Sequence, residues 1–200
     1  MSIFTALLLV SGLALANSQR YHFSSLPYTS ISNHSDGIEE REYESVVLPS
    51  YTSISCLTWN AAQSQGYYHL AMYTRNGNNV EGRSLKMGVP VILGVHHVDD
   101  IEPRCAQQYT TSFYVDEKEL PAPNNTDVKL TQLPVNKLYA ISTSNIVRDP
   151  SDVVLSLRVK LNALGLCYDP KHYFMASFSS PRSSRNSRTE IWLPVVACVH

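Results

Sequence analysis

The sequence predicts an α+β domain made of two successive β-β-α-β-β units. Three observations carry that expectation. Tyr67–Arg75 and Val153–Leu164 place apolar residues at helical spacing, and each lies between pairs of shorter strand-like runs. The order of elements is therefore the same in both halves, an internal structural repeat without sequence identity. Twelve Tyr against eight Gly, with abundant Val, Ile, Thr and Ser, favour strands for the rest.

From the N-terminal side, Glu42–Leu48 and Tyr51–Trp59 read as strands separated by Pro49-Ser50, with Ile54, Cys56 and Thr58 on one face by period-two counting. The first helix, with Leu70, Met72 and Tyr73, stops at Asn76-Gly77, a left-handed cap. Lys86–Leu93 is a strand that should begin at Pro90 or lie on a sheet edge, because proline removes a ladder donor. His96–Ala106 reads as a polar loop, and Tyr109–Val115 alternates as a strand. In the second half Val128–Leu133 and Lys137–Asn145 are strands. Asp149 caps a helix with Pro150 at its first position and Asp152 near its positive end. Val153, Val154, Leu157, Leu161 and Leu164 mark its apolar face, and Gly165 closes it. His172–Ser179 and Thr189–Val196 are the last two strands, joined by Ser180–Arg188.

Residues 1–16 read as a secretory signal peptide. Ile3–Val10 is apolar, Ser11-Gly12 breaks the run, and Ala14-Leu15-Ala16 offers a small-x-small cleavage site. The run is shorter than the roughly 20 residues a membrane span requires, and no second one follows, so a secreted product without a membrane anchor is expected. Residues 17–37 lack a period and read as an N-terminal arm, leaving 38–200 as the folded domain. A formal charge of −1 with no basic run gives no footprint for nucleic acid or an anionic membrane. Four cysteines (56, 105, 167, 198) in an exported chain imply two disulfides. Asn33-His34-Ser35 and Asn124-Asn125-Thr126 are glycosylation sequons, which would put Asn33 and Asn124 on exposed loops.

Enzyme signatures are absent: no Gly-x-Ser-x-Gly elbow, phosphate-binding Gly loop, His-Glu-x-x-His or Cys-x-x-Cys occurs, and a non-enzyme is expected. His96-His97 with Asp99-Asp100 offers metal-ligand chemistry, but adjacent residues of an extended segment point opposite ways, so no metal site is expected there.

Several short stretches, in order, resemble the SOUL/heme-binding protein family. Lys86-Met87-Gly88-Val89-Pro90-Val91, after the Gly/Asn turn at 76–79, is similar to the family's Met-Thr-(Ala/Val)-Pro-Val segment, with Gly88 in place of Thr. Glu40-Arg41-Glu42-Tyr43-Glu44 resembles its opening strand, Leu120-Pro121-Ala122-Pro123 its Pro-rich loop, Tyr168-Asp169-Pro170-Lys171-His172-Tyr173 its Tyr-Asp-x-x-x-Tyr element, and Thr189-Glu190-Ile191-Trp192 its closing strand. The resemblance implies a twisted, barrel-like antiparallel sheet with two flanking helices. It also implies non-covalent binding of heme or another porphyrin in an apolar groove beside the first helix. Carried onto this chain, that groove would use His69, Met72, Tyr73, Arg75, Lys86 and Met87, with His69 as axial ligand and Arg75 meeting a propionate.

If 172–179 and 189–196 form a hairpin, numbers of opposed residues add to about 365, as do those of Cys167 and Cys198, so these two cysteines fall within bridging range. Cys56–Cys105 is the remaining pair. Two functional readings stay open: a secreted heme or tetrapyrrole binder acting as scavenger, carrier or buffer, and a secreted structural or extracellular-matrix interaction protein that keeps the fold without heme.

Overall fold

The structure, a computed structural model, describes residues 24–98, 106–143, 150–178 and 188–198. The order of elements is β1 (Tyr28–Asn33), β2 (Ile38–Tyr43), β3 (Val47–Ser55), α1 (Trp59–Arg75), β4 (Met87–His97), β5 (Gln107–Val115), β6 (Val128–Gln132), β7 (Lys137–Thr143), α2 (Pro150–Ala163), β8 (His172–Ser177) and β9 (Thr189–Pro194). The β-β-α-β-β order therefore occurs twice, over β2–β5 and β6–β9, with one strand added in front.

That added strand is where the structure departs most from the sequence. β1 lies inside the segment expected to be a loose arm, and it pairs antiparallel with β2 through a turn in which Asp36 and Gly37 take φ of 61° and 72°. Its side chains are almost all exposed, so it has no alternating apolar signal. Backbone pairing holds it, together with Tyr28, whose ring meets Tyr43 at 5.4 Å and lies 4.2 Å from the Arg41 guanidinium.

Other boundaries shift for local reasons. β3 runs through Pro49-Ser50 as one strand; its pairing with β5 begins at Ser50, so Pro49 lies beyond the end of that ladder. α1 starts at Trp59, with the Thr58 hydroxyl accepting from the Ala61 N–H, well before the expected Tyr67. The extra turns bury Ala62 and Gly66, residues too small to write an apolar period. β4 extends to His97 rather than ending at Leu93, and its register with β5 breaks between Met87 and Val91, around Pro90. Pairing of β4 with β8 likewise starts at Val91, so this central strand tolerates its proline where the ladders are interrupted. The expected cap at Asp149 and strand residues Ser144 and Asn145 lie outside the described residues.

The nine strands among the described residues form one antiparallel sheet in the order β1-β2-β7-β9-β8-β4-β5-β3-β6. The first strand of each unit has crossed over: β2 pairs with β7 of the second unit, and β6 with β3 of the first. Both helices cover one face, where Ala62, Leu70 and Tyr73 of α1 and Val154, Leu157 and Leu161 of α2 meet Leu93, Phe113, Met175 and Ile191. The opposite face carries a second core of Tyr43, Leu48, Ile92, Tyr114, Leu138, Phe174 and Trp192, to which neither helix contributes. Tyr43 and Leu48 come from opposite ends of the strand order, so the sheet curls until its ends share a core. The curl stays open, since β1 and β6 are not hydrogen-bonded to each other and the barrel is incomplete.

Within the curl Arg41 of β2 reaches across β7 to Glu190 of β9. The guanidinium donates to both carboxylate oxygens, at 2.6 and 3.1 Å, with the two side chains 3% and 0% exposed. Trp192 Nε1 donates to the same carboxylate at 2.8 Å, Ser142 Oγ at 3.1 Å, and Arg188 also contacts it. Burial pushes the Glu190 carboxyl up, but these donors outweigh it and hold the group below its ordinary value. At the end of the β8–β9 hairpin Cys167 and Cys198 are joined by a disulfide, with Cα atoms 5.4 Å apart. Cys56 is also disulfide-bonded; the expected partner Cys105 lies outside the described residues.

Candidate functional site

α1 lies along β5, and the closeness of that contact is set by Gly66. A Cβ at this position would sit 2.2 Å from Thr111 Oγ1 and 2.5 Å from Thr111 Cβ. Helix propensity alone favours Gly66→Ala by up to ~1 kcal/mol. Overpacking outweighs it, and a net loss of about 1–3 kcal/mol is expected in a denaturation experiment. Thr111→Ala is not expected to rescue it, because the Cβ remains. The seat of the helix on β5 thus depends on a residue with no side chain, and the flanking residues inherit their positions from it.

The helix buries Ala62, Gly66, Leu70, Tyr73 and Thr74. His69 and Met72, three residues apart, share one flank by helical spacing, and His69 faces β3 and the turn at 122–127. Tyr67 projects on the other, its ring edge-on to Phe113 at 5.1 Å and packed in the cluster that contains Met87.

His69 is the most constrained of the expected site residues. Its ring stacks on Tyr51 with centroids 4.3 Å apart and planes 10° from parallel. The Asn125 side-chain amide nitrogen is 3.3 Å from His69 Nδ1, and the Asp127 carboxylate is 3.9 Å from the same nitrogen. An Nδ1 that accepts from Asn125 keeps the proton on Nε2, whereas the other tautomer turns its Nδ1 proton towards the Asp127 carboxylate and leaves Nε2 for a ligand. Met72 is half-buried one turn on, with the Asn76 amide donating to its sulfur at 3.0 Å. Tyr68 on the exposed side of α1 and Val80 in the turn that follows the helix are 64% and 65% exposed and add apolar surface. Val80 N–H donates to Ala122 O, tying that turn to the 122–127 segment.

The other expected residues do not converge on this flank. Tyr73 is 1% exposed and its hydroxyl donates to Pro121 O at 2.7 Å. Burial pushes its phenol up to about 12, and it is a packing residue rather than a groove residue. Arg75 is exposed on the crest of the helix, its guanidinium turned towards Tyr67, donating to the hydroxyl at 2.6 Å. Lys86 is exposed before β4, and Met87 packs on the far flank with Leu85 and Phe113. One flat ligand cannot lie against both flanks at once, so the six residues form two groups rather than one groove.

Sequence reasoning did not find Tyr51, Asn125 and Asp127, the partners that orient His69. Nor did it find the cross-strand pair His96–His172, whose rings stack 3.8 Å apart on β4 and β8. His172 Nδ1 lies 2.6 Å from Asp169 Oδ2, and burial together with the His172 charge pushes His96 below its ordinary value. Among the described residues no group of three or more His, Cys, Asp or Glu is placed to hold a metal ion; Asp99 and Asp100 lie outside them.

The fold is thus a curled antiparallel sheet built from two α+β units that exchange their first strands, with an oriented imidazole on the flank of the first helix. A family model described as SOUL heme-binding protein matches residues 23–194, and the chain belongs to that family. It is 25% identical over 147 residues to heme-binding protein 2 of Homo sapiens, covering 71% of this chain and 70% of that protein. Among solved structures it is similar to a hydrolase from Listeria innocua, at 14% identity and a TM-score of 0.49 over 80% of this chain and 91% of that one. It is also similar to a putative transcription regulation protein from Staphylococcus aureus MU50, at 12% identity and a TM-score of 0.47 over 86% and 99%. The family is described by what it binds and not by a reaction.

Proposed function

We propose that this protein is secreted and binds heme or a related tetrapyrrole non-covalently on the His69–Met72 flank of α1, as a carrier, scavenger or buffer without turnover. The observation that carries this reading is the setting of His69, stacked on Tyr51 with Nδ1 facing Asn125 and, 3.9 Å away, the Asp127 carboxylate. A histidine that ligates a metal characteristically has its second nitrogen held by a carboxylate or carbonyl, which fixes the ring and its tautomer. The donor set fits the group: His69 would hold the iron, Met72, Tyr68 and Val80 would cover the ring, and Arg75 would swing from Tyr67 to a propionate. Bound iron supplies a coordination position for His69; the chain supplies orientation and an apolar face.

Secretion is supported by the apolar run at 3–10, by the Cys167–Cys198 bond, which suits an oxidising compartment, and by the exposure of Asn33 and Asn124, where N-glycans would be carried. The test is a hemin titration of the purified, disulfide-intact protein, followed in the Soret region beside His69→Ala and Asp127→Asn. A saturable one-to-one shift is expected, with the carboxylate variant weakened about tenfold or more and the histidine variant changed in spectrum as well. A saturable shift indifferent to both substitutions would remove the site from this flank. No shift beyond that of an unrelated protein would leave a secreted structural or matrix protein as the reading.

A further inference from the structure

On the side of the sheet facing away from the helices, β3 and β6 present a strip of hydroxyl and charged side chains. Leu48 lies opposite Thr131 and Ser50 opposite Lys129, so Ser50, Thr52, Lys129 and Thr131 share that face by strand alternation. With Tyr51, and with Thr126 and Asp127 from the turn entering β6, they line a cleft of about 410 Å³. That is within the size range of small-molecule sites, roughly 300–1,000 Å³.

The lining has a definite chemistry. Thr131 Oγ1 donates to Ser50 Oγ at 2.9 Å, Ser50 and Ser112 hydroxyls are 2.8 Å apart, and those of Thr52 and Thr110 are 3.0 Å apart. A hydroxyl donates one proton and accepts on two lone pairs, and its proton rotates to suit a partner. A chain of hydroxyls therefore presents donors or acceptors as a ligand requires. Lys129 forms no ion pair among the described residues, and the Asp127 carboxylate is 58% exposed. One cation and one anion at the same cleft disfavour both a net anion and a net cation, while each accepts or donates strongly to a neutral hydroxyl. Purely apolar ligands are disfavoured by the polar walls.

We infer that the β3–β6 cleft is a binding site for a neutral, hydroxyl-rich ligand, that is, a saccharide. The exposed sequon residue Asn124 precedes by two positions Thr126, which lines the cleft. The saccharide therefore has two sources, the N-glycan of Asn124 folding back or a free or partner-borne sugar. The cleft adjoins the proposed heme position and shares Tyr51 and Asp127 with it, but its strip of Ser50, Thr52, Lys129 and Thr131 lies on the other face of the sheet, and saccharide binding there does not depend on heme.

The experiment is amide-resolved NMR of the glycosylated protein and of Asn124→Gln, each titrated with N-acetylglucosamine and with mannose. Shift changes confined to Ser50–Thr52 and Thr126–Thr131 are expected, saturating at millimolar sugar. Lys129→Met and Thr52→Val, with thermal melts confirming that each variant is folded, should weaken them about tenfold, the value of one charged hydrogen bond. Shifts at these amides on removing the glycan, without added sugar, identify the chain's own glycan as the occupant. Saturable shifts with free sugar in Asn124→Gln identify an external one. No perturbation from either source, or shifts unchanged in both cleft variants, would overturn the assignment.

Discussion

Arg41→Met is expected to lower folding stability by about 3–5 kcal/mol, the cost of leaving a buried carboxylate without its cation. Glu190 is fully enclosed, and Arg41 supplies two of its hydrogen bonds. Trp192 and Ser142 cannot replace that charge, and Arg188 is half exposed at the end of β9. The pair also spans three strands, β2, β7 and β9, so its loss loosens the attachment of β2 and with it β1. Urea denaturation followed by tryptophan fluorescence measures the loss directly, because Trp192 bonds the same carboxylate. The double variant Arg41→Met/Glu190→Leu should recover most of the stability, since an apolar pair of similar volume removes the stranded charge. If the single variant loses less than about 1 kcal/mol, the ion pair is not what ties β2 to β9.

Cys167→Ser/Cys198→Ser should cost about 3–4 kcal/mol. The bond closes a loop with a sequence separation of 31, and on the chain-entropy account a loop of this length restricts the unfolded chain by that amount. The loop holds β8, β9 and their connection, whose strands are already paired in the native state. The native fold should therefore survive and the loss appear mainly as a shifted denaturation midpoint. The same shift should follow from reducing the wild-type protein and be absent from the double variant treated likewise, apart from any contribution of the bond at Cys56.

Much of this fold was legible because its signals are local. Leu157 and Leu161 wrote the second helix, Tyr109–Val115 alternated visibly, and the hairpin register brought Cys167 towards Cys198. β1 was not legible: an edge strand with exposed side chains is held by backbone bonds, which leave no trace in side-chain pattern. The early turns of α1 were hidden for the opposite reason, since Ala62 and Gly66 are buried because they are small. At the site, His69 and Met72 could be named from the helix alone. Tyr73 could not be separated from them, because helical spacing does not say which of two nearby residues meets the sheet and which the flank. Tyr51, Asn125 and Asp127 come from other elements, and only the pairing of β3 with β6 brings them to His69.

The crossing of first strands between the two units also sets an order of events on the ribosome. β2 emerges early, but its sheet partner β7 begins only at Lys137, and β7 in turn leans on β9, which begins only at Thr189. Until then Ile38 and Tyr43, both buried in the finished molecule, have no surface to rest on. Neither half is a self-sufficient folding unit, because each has lent an edge to the other. Cys198, separated from Cys167 by 31 positions, can be oxidised with it only after β9 has been made. A chain cut short anywhere before Thr189 would therefore expose an unfinished sheet edge and lack the Cys167–Cys198 bond, two features by which quality control can recognise it.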